Sequence, residues 1–112
     1  MKKTYIDTAM ESIAPDLILK GGNVVDVFSG RVIKADVIIK DGIICGVGSY
    51  SGENEQDVSG KYVMPGFIDS HVHIESSMTQ PSEYAKAVMP HGITTVIADP
   101  HEITNVCGED GL

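Results

Sequence analysis

Between Asp16 and Tyr50 the apolar positions come in short runs, DLILK, NVVDVF, RVIKADVIIK and GIICGVG, parted by Gly21-Gly22, Ser29-Gly30 and Asp41-Gly42. Runs of this length, rich in β-branched residues and punctuated by glycine, predict strands joined as hairpins with the glycine pairs as turns. Asp41-Gly42 is the sharpest signal, because both residues tolerate the positive φ angles of a two-residue type I′ turn. Residues 1–15 are weakly patterned and read as an N-terminal extension, with a short helix expected over Thr8 to Ile13. The polar stretch SYSGENEQDVSGK predicts a surface loop. A domain boundary is expected after it, near Lys61 to Pro65, which divides the chain into a β-rich part over 16–64 and a second part over 65–112.

The pattern then changes. The apolar run YVMPGFIDSHVHI is followed by a helix, with Pro81 in its first turn and Glu83 near the positive end of its dipole. Tyr84, Ala87 and Val88 are expected on one helix face, and Pro90-His91-Gly92 ends the helix. ITTVIA is an apolar, β-branched run of the kind buried on both sides of a sheet. Two strands joined through a helix run parallel, so the second part is expected to be α/β.

Composition narrows the function classes. The 112 residues carry 16 acidic and 8 basic side chains, a net charge of -8, which opposes docking on a phosphate backbone or an anionic membrane surface. Nucleic acid and membrane are therefore not expected as partners. The opening MKKTYIDTAMESIAPD lacks the apolar stretch of a signal peptide, and a cytoplasmic location is expected. Cys45 and Cys107 have no CxxC spacing and read as buried, inert thiols. The glycines make neither a dinucleotide fingerprint nor a P-loop.

Chemistry concentrates in two clusters. In Asp69-Ser70-His71-Val72-His73, strand alternation sends His71 and His73 to the same face, with Asp69 sharing their parity. Two imidazoles one strand pitch apart suit a divalent metal ion; two histidines coinciding in a strand, with hydrogen-bonded or exposed rings, is the plainer alternative. Asp99-Pro100-His101-Glu102 follows directly on the second apolar strand, where parallel α/β folds build their active sites. Asp99 before Pro100 equally suits a helix N-cap. Glu75, Ser76 and Ser77 lie in the loop after the first strand and either contact a substrate or cap a turn, the supporting role being the favoured reading. His91, at the helix stop, reads as structural.

The sequence VMPGFIDSHVHIESS, a helix, and then HGITTVIADPHEITNV resembles the amidohydrolase superfamily, and the IESS and ADPHEI segments resemble its adenine deaminase branch. The likeness spans roughly Asp16 to Gly108. It implies a (β/α)₈ TIM barrel with a binuclear metal centre, preceded by a small β-sandwich region. By residue, it makes His71 and His73 metal ligands, Asp99, His101 and Glu102 catalytic, and Glu75 and Ser76 substrate-binding. The implied reaction is hydrolysis of adenine to hypoxanthine and ammonia by a metal-activated hydroxide, with manganese or iron as the metal. A homo-oligomer is compatible with the resemblance. The rival expectations are a cyclic-amide hydrolase of the hydantoinase or dihydroorotase type, and a non-catalytic β-rich module. Such a barrel needs about 250 residues, whereas 48 run from Pro65 to Leu112. The chain is therefore expected to stop after about two barrel strands and, alone, to be inactive and poorly stable.

Overall fold

A computed structural model describes residues 2–111, which fall into two compact units, Met1–Pro65 and Gly66–Leu112. The first opens with helix α1 (Lys3–Ala9), followed by strands β1 (Leu17–Asp26), β2 (Arg31–Lys40), β3 (Ile43–Gly48), β4 (Glu55–Asp57) and β5 (Tyr62–Val63). The helix forms earlier than the expected Thr8 to Ile13. Glu11 takes a left-handed conformation (φ 59°), which stops the helix within two residues of Ala9.

The five strands make one sheet in the order β3-β2-β1-β4, with β5 also paired to β1. The hairpins β1/β2 and β2/β3 are antiparallel, whereas β4 and β5 run parallel to β1. Asp41 and Gly42 have φ of 52° and 73°, both positive as the type I′ turn requires. Ile18, Val24, Val37, Ile38 and Val58 form the buried apolar core.

Two expectations need correction here. Gly21-Gly22 is not a turn: β1 runs straight through it, and the register shifts between Leu19 and Gly22 as a β-bulge. Gly21 absorbs the extra residue at φ 69°, where a Cβ would be strained. The polar stretch after Tyr50 is not all loop, because Glu55–Asp57 pairs with Ile18, Leu19 and Lys20 of β1. Its side chains are exposed on an edge strand, so burial leaves no apolar alternation to read there.

The bulge is organised by Asp36, the buried carboxylate of β2, which is only 6% exposed. Its Oδ1 accepts from the Gly21 N–H at 2.8 Å, and its Oδ2 accepts from the Tyr50 N–H and from Lys20 Nζ, each at 2.9 Å. Lys20 Nζ also donates to the Tyr50 carbonyl. Burial raises the Asp36 pKa, but the Tyr50 N–H, the Lys20 ammonium and the Gly21 N–H outweigh it and hold the carboxyl below its ordinary range.

The second unit contains β6 (Phe67–Val72), a 3-10 turn (Glu75–Ser77), α2 (Pro81–Val88), a 3-10 turn (Met89–His91), β7 (Ile93–Ala98) and α3 (His101–Cys107). β6 and β7 pair in parallel, and the chain has the expected α/β class. Pro81 is the first residue of α2, and Gly92 ends the turn after it at φ 92°. The shielded positions of α2 are Tyr84, Ala85 and Val88; Ala87, expected on that face, is exposed. β7 is not buried on both sides: in a two-stranded sheet Ile97 is 57% exposed, and Phe67 and Ile68 of β6 are 56% and 64% exposed. The thiols are not buried either, since Cys45 lies half-buried on the edge strand β3 and Cys107 is exposed at the end of α3.

Replacing Asp36 by Asn should lower stability by about 1–3 kcal/mol, because the ammonium and one of the two N–H donors lose a full carboxylate partner. The folded pKa of Asp36 is depressed, so its contribution is complete above the ordinary carboxylate range and is lost as pH falls through the folded value. Denaturant titrations should therefore show the gap between the two proteins constant at neutral pH and closing below about pH 4; a gap independent of pH would show that the charge of Asp36 contributes nothing.

Candidate metal centre

The parallel pairing of β6 with β7 brings two strand ends together. Val72 lies opposite Ala98, and the Asp99 N–H donates to the Val72 carbonyl at 3.2 Å. His73 and Asp99 are thus the first residues past each strand. His73 Nδ1 lies 3.0 Å from the Asp99 carbonyl oxygen. A carbonyl only accepts, so Nδ1 carries the proton and Nε2 carries the lone pair. That Nε2 is 3.1 Å from His71 Nε2. The strand alternation that places the two rings on one face also turns these nitrogens toward each other, with ring centroids 5.0 Å apart.

Asp99 orients a third imidazole. Its Oδ2 lies 3.0 Å from His101 Nδ1, so a proton on Nδ1 bridges the two and leaves His101 Nε2 as the basic nitrogen. The His73 and His101 rings sit edge to face at 4.9 Å. His73, Asp99 and His101 each offer a ligand atom within 4.8 Å of the others, forming the metal-competent cluster among the described residues. His71 joins through His73.

The donor set fits a divalent ion. Two nitrogens about 2.0–2.1 Å from one tetrahedral ion lie roughly 3.3 Å apart, close to the 3.1 Å between the facing Nε2 atoms. Both orienting bonds, ring N–H to backbone carbonyl and ring N–H to carboxylate, are those that fix ligating histidines. His73 is half-buried, while His71, Asp99 and His101 are open to solvent.

The remaining residues fall into place around this cluster. Asp69 Oδ1 accepts from the His71 N–H at 3.2 Å, within its own strand end. Asp99 is not the N-cap of α3. That position is Pro100, without a side-chain cap, because the Asp99 carboxylate is turned to His101. Glu102 and Ser76 meet each other, with Ser76 Oγ donating to Glu102 Oε1 at 2.8 Å. Glu75 Oε1 accepts from the Ile103 N–H at 3.3 Å. Sequence reasoning did not anticipate these links, which join residues 26 and 28 positions apart. His91 closes the turn before β7, at the opposite end of the strand from the cluster.

Comparison with known proteins bears out the resemblance read from these motifs. Residues 62–112 match the amidohydrolase family. The chain is 56% identical over 110 residues to adenine deaminase 2 of Desulfotalea psychrophila, spanning 98% of this chain and 19% of that protein. It is 56% identical over 97 residues to the adenine deaminase of Bacillus subtilis, spanning 87% of this chain and 17% of that one. The chain thus covers less than a fifth of the length of these relatives. Among solved structures it is similar to N-acyl-D-glutamate deacylase from Bordetella bronchiseptica, complexed with zinc and a phosphonate inhibitor, with a TM-score of 0.63, 31% identity, and 75% of this chain and 18% of that chain covered. It is also similar to L-hydantoinase from Arthrobacter aurescens, with a TM-score of 0.60, 29% identity, and 76% and 20% covered.

His73 is the ring shared by both contacts of the cluster, so His73→Ala should weaken binding of manganese or zinc more than the about 10- to 100-fold expected from losing an orienting group alone, as in Asp99→Asn. Competition against a chromophoric chelator measures both variants. Unaltered affinity in His73→Ala would show that the cluster holds no metal.

Proposed function

We propose that this chain supplies the first two strands' share of the active site of a metal-dependent aminohydrolase that converts adenine and water to hypoxanthine and ammonia. The observation that carries this reading is the convergence of His71, His73, Asp99 and His101 at the carboxyl ends of two parallel strands. The choice of adenine is supported by the high identity to proteins named adenine deaminases. In the proposed organisation, residues 1–15 are an extension, residues 16–64 are strands of a flanking β-sandwich, and residues 65–112 begin a barrel.

His71 and His73 would hold a divalent ion, manganese or iron in a binuclear centre, with Asp99 and His101 beside them. Such an ion, when bound, supplies Lewis acidity that lowers the pKa of water from about 15.7 to about 7. The protein must then manage protons. Attack at C6 of adenine uses both protons of the water: one is passed to a ring nitrogen as the C–O bond forms, and the other leaves the new C6 hydroxyl as it becomes a carbonyl and goes to the exocyclic nitrogen, whose bond to C6 breaks to release ammonia. Asp99, His101 and Glu102 are the groups assigned to that traffic. His101 shares its Nδ1 proton with Asp99 and presents a basic Nε2, which accepts a proton while Asp99 stabilises the resulting imidazolium. Glu102 offers a second carboxylate on the first turn of α3. The proposed setting is purine salvage or catabolism in the cytoplasm. None of the helices in the described residues is long and apolar enough to cross a membrane.

Likeness to L-hydantoinase favours a second reading, hydrolysis of a cyclic amide. The two separate by substrate. The full-length protein, reconstituted with manganese or ferrous iron, should release ammonia from adenine and leave hydantoin and dihydroorotate intact. The rate should fall by at least about a thousandfold when His71 and His73 are both replaced by Ala. Opening of a cyclic amide instead would establish the second reading, and inertness toward all three substrates would leave a non-catalytic module.

A further inference from the structure

The loop after β6 and the start of α3 are bound to each other by two side chains, Glu75 and Ser76, for which the sequence leaves both substrate contact and a supporting role open. Helix α3 begins without a side-chain cap of its own, since Pro100 occupies the N-cap and the Asp99 carboxylate is turned to His101. The first N–H groups of a helix have no partner within it. Glu75 meets one of them from outside, its Oε1 accepting from the Ile103 N–H at 3.3 Å. One residue on, Ser76 Oγ donates to Glu102 Oε1 at 2.8 Å. Glu75 itself is half-buried and set in a 3-10 turn whose N–H groups at Ser76, Ser77 and Met78 donate to the carbonyls of His73, Ile74 and Glu75. Through the Ser76 N–H this turn is tied directly to the residue that carries the central imidazole.

We propose that Glu75 and Ser76 are positioning residues: Glu75 caps α3 from the neighbouring loop, and Ser76 fixes the carboxylate of Glu102, so that the groups of the first strand and those of the second are held as one unit. This assignment rests on the proposed aminohydrolase reading for its kinetic consequence, but not for its structural one. An exposed glutamate on a first helical turn samples several rotamers. A hydroxyl on one carboxylate oxygen selects the one that faces the 3-10 turn. The requirement on Glu75 is an acceptor rather than a charge, and the requirement on Ser76 is a hydroxyl. Conservative replacements that keep those features separate positioning from contact with a substrate.

The test has two arms, both on the full-length protein. In hydrogen exchange, which needs no activity, Glu75→Ala should raise the exchange rate of the α3 amides at Ile103 at least about tenfold, and Glu75→Gln should restore protection. In steady-state kinetics with adenine, Ser76→Ala should lower kcat about tenfold with KM within about twofold, and Ser76→Thr should recover most of the loss. In a Glu102→Ala background Ser76→Ala should have less than about a twofold further effect. A rise in KM at constant kcat, undiminished in the Glu102→Ala background, would overturn the assignment and make Ser76 a substrate contact. Unchanged exchange in Glu75→Ala would overturn the cap. Failure of the wild-type protein to act on adenine would defeat the aminohydrolase reading and leave the exchange arm to decide the positioning role.

Discussion

The parallel pairing of β6 with β7 carries the chemistry of this chain, because it sets side by side two strand ends that are 26 residues apart in sequence. Parallel strands point their carboxyl ends the same way, so whatever follows each strand emerges at one edge. His73 follows β6 and Asp99 follows β7, and the bond from the Asp99 N–H to the Val72 carbonyl carries the pairing one step past the last strand residue. The other ends are tied by the bond from the Phe67 N–H to the Gly92 carbonyl. A Cβ on Gly66 would collide with the Thr94 side chain, so the close approach that starts this sheet depends on glycine there. A one-residue slip in this register would turn His71 and His73 to the opposite face from Asp99 and His101.

Much of this was legible because it depends on period and on chain order. The parity of His71 and His73 follows from strand alternation, and their convergence, at 3.1 Å between ring nitrogens, is what that parity dictates at a strand end. Pro81 as the first residue of α2 and the positive φ pair at Asp41-Gly42 follow from covalent geometry. The competing readings of Asp99, rim residue or helix cap, were beyond the sequence, because an aspartate beside a proline satisfies both. The choice was made by His101, whose Nδ1 lies 3.0 Å from the Asp99 carboxylate two residues away.

What was not legible depends on long-range pairing with no periodic signature. Gly21-Gly22 reads as a turn from local rules, yet Asp36 on the neighbouring strand accepts the Gly21 N–H and converts the pair into a bulge within one strand. Asp36 itself looks like one polar position in a β run, and only its three donors explain how a carboxylate sits 6% exposed in a sheet. The links of Glu75 to α3 and of Ser76 to Glu102 are of the same kind. Polar residues in a loop announce that they need partners, not which ones.

Asp99 shows how little machinery is needed to orient two imidazoles. Its backbone carbonyl accepts from His73 Nδ1 and its side chain from His101 Nδ1, so one residue fixes two tautomers through two chemically separate groups. The first group belongs to the main chain and survives any substitution that keeps β7 in register; the second is lost with the carboxylate. The orientation of His73 is therefore a property of the strand pairing, and that of His101 a property of one side chain. This division matches their surroundings. His73 is half-buried at the two strand ends, while His101 is more exposed on the first turn of α3, where its ring meets the edge of His73 and is oriented by the aspartate.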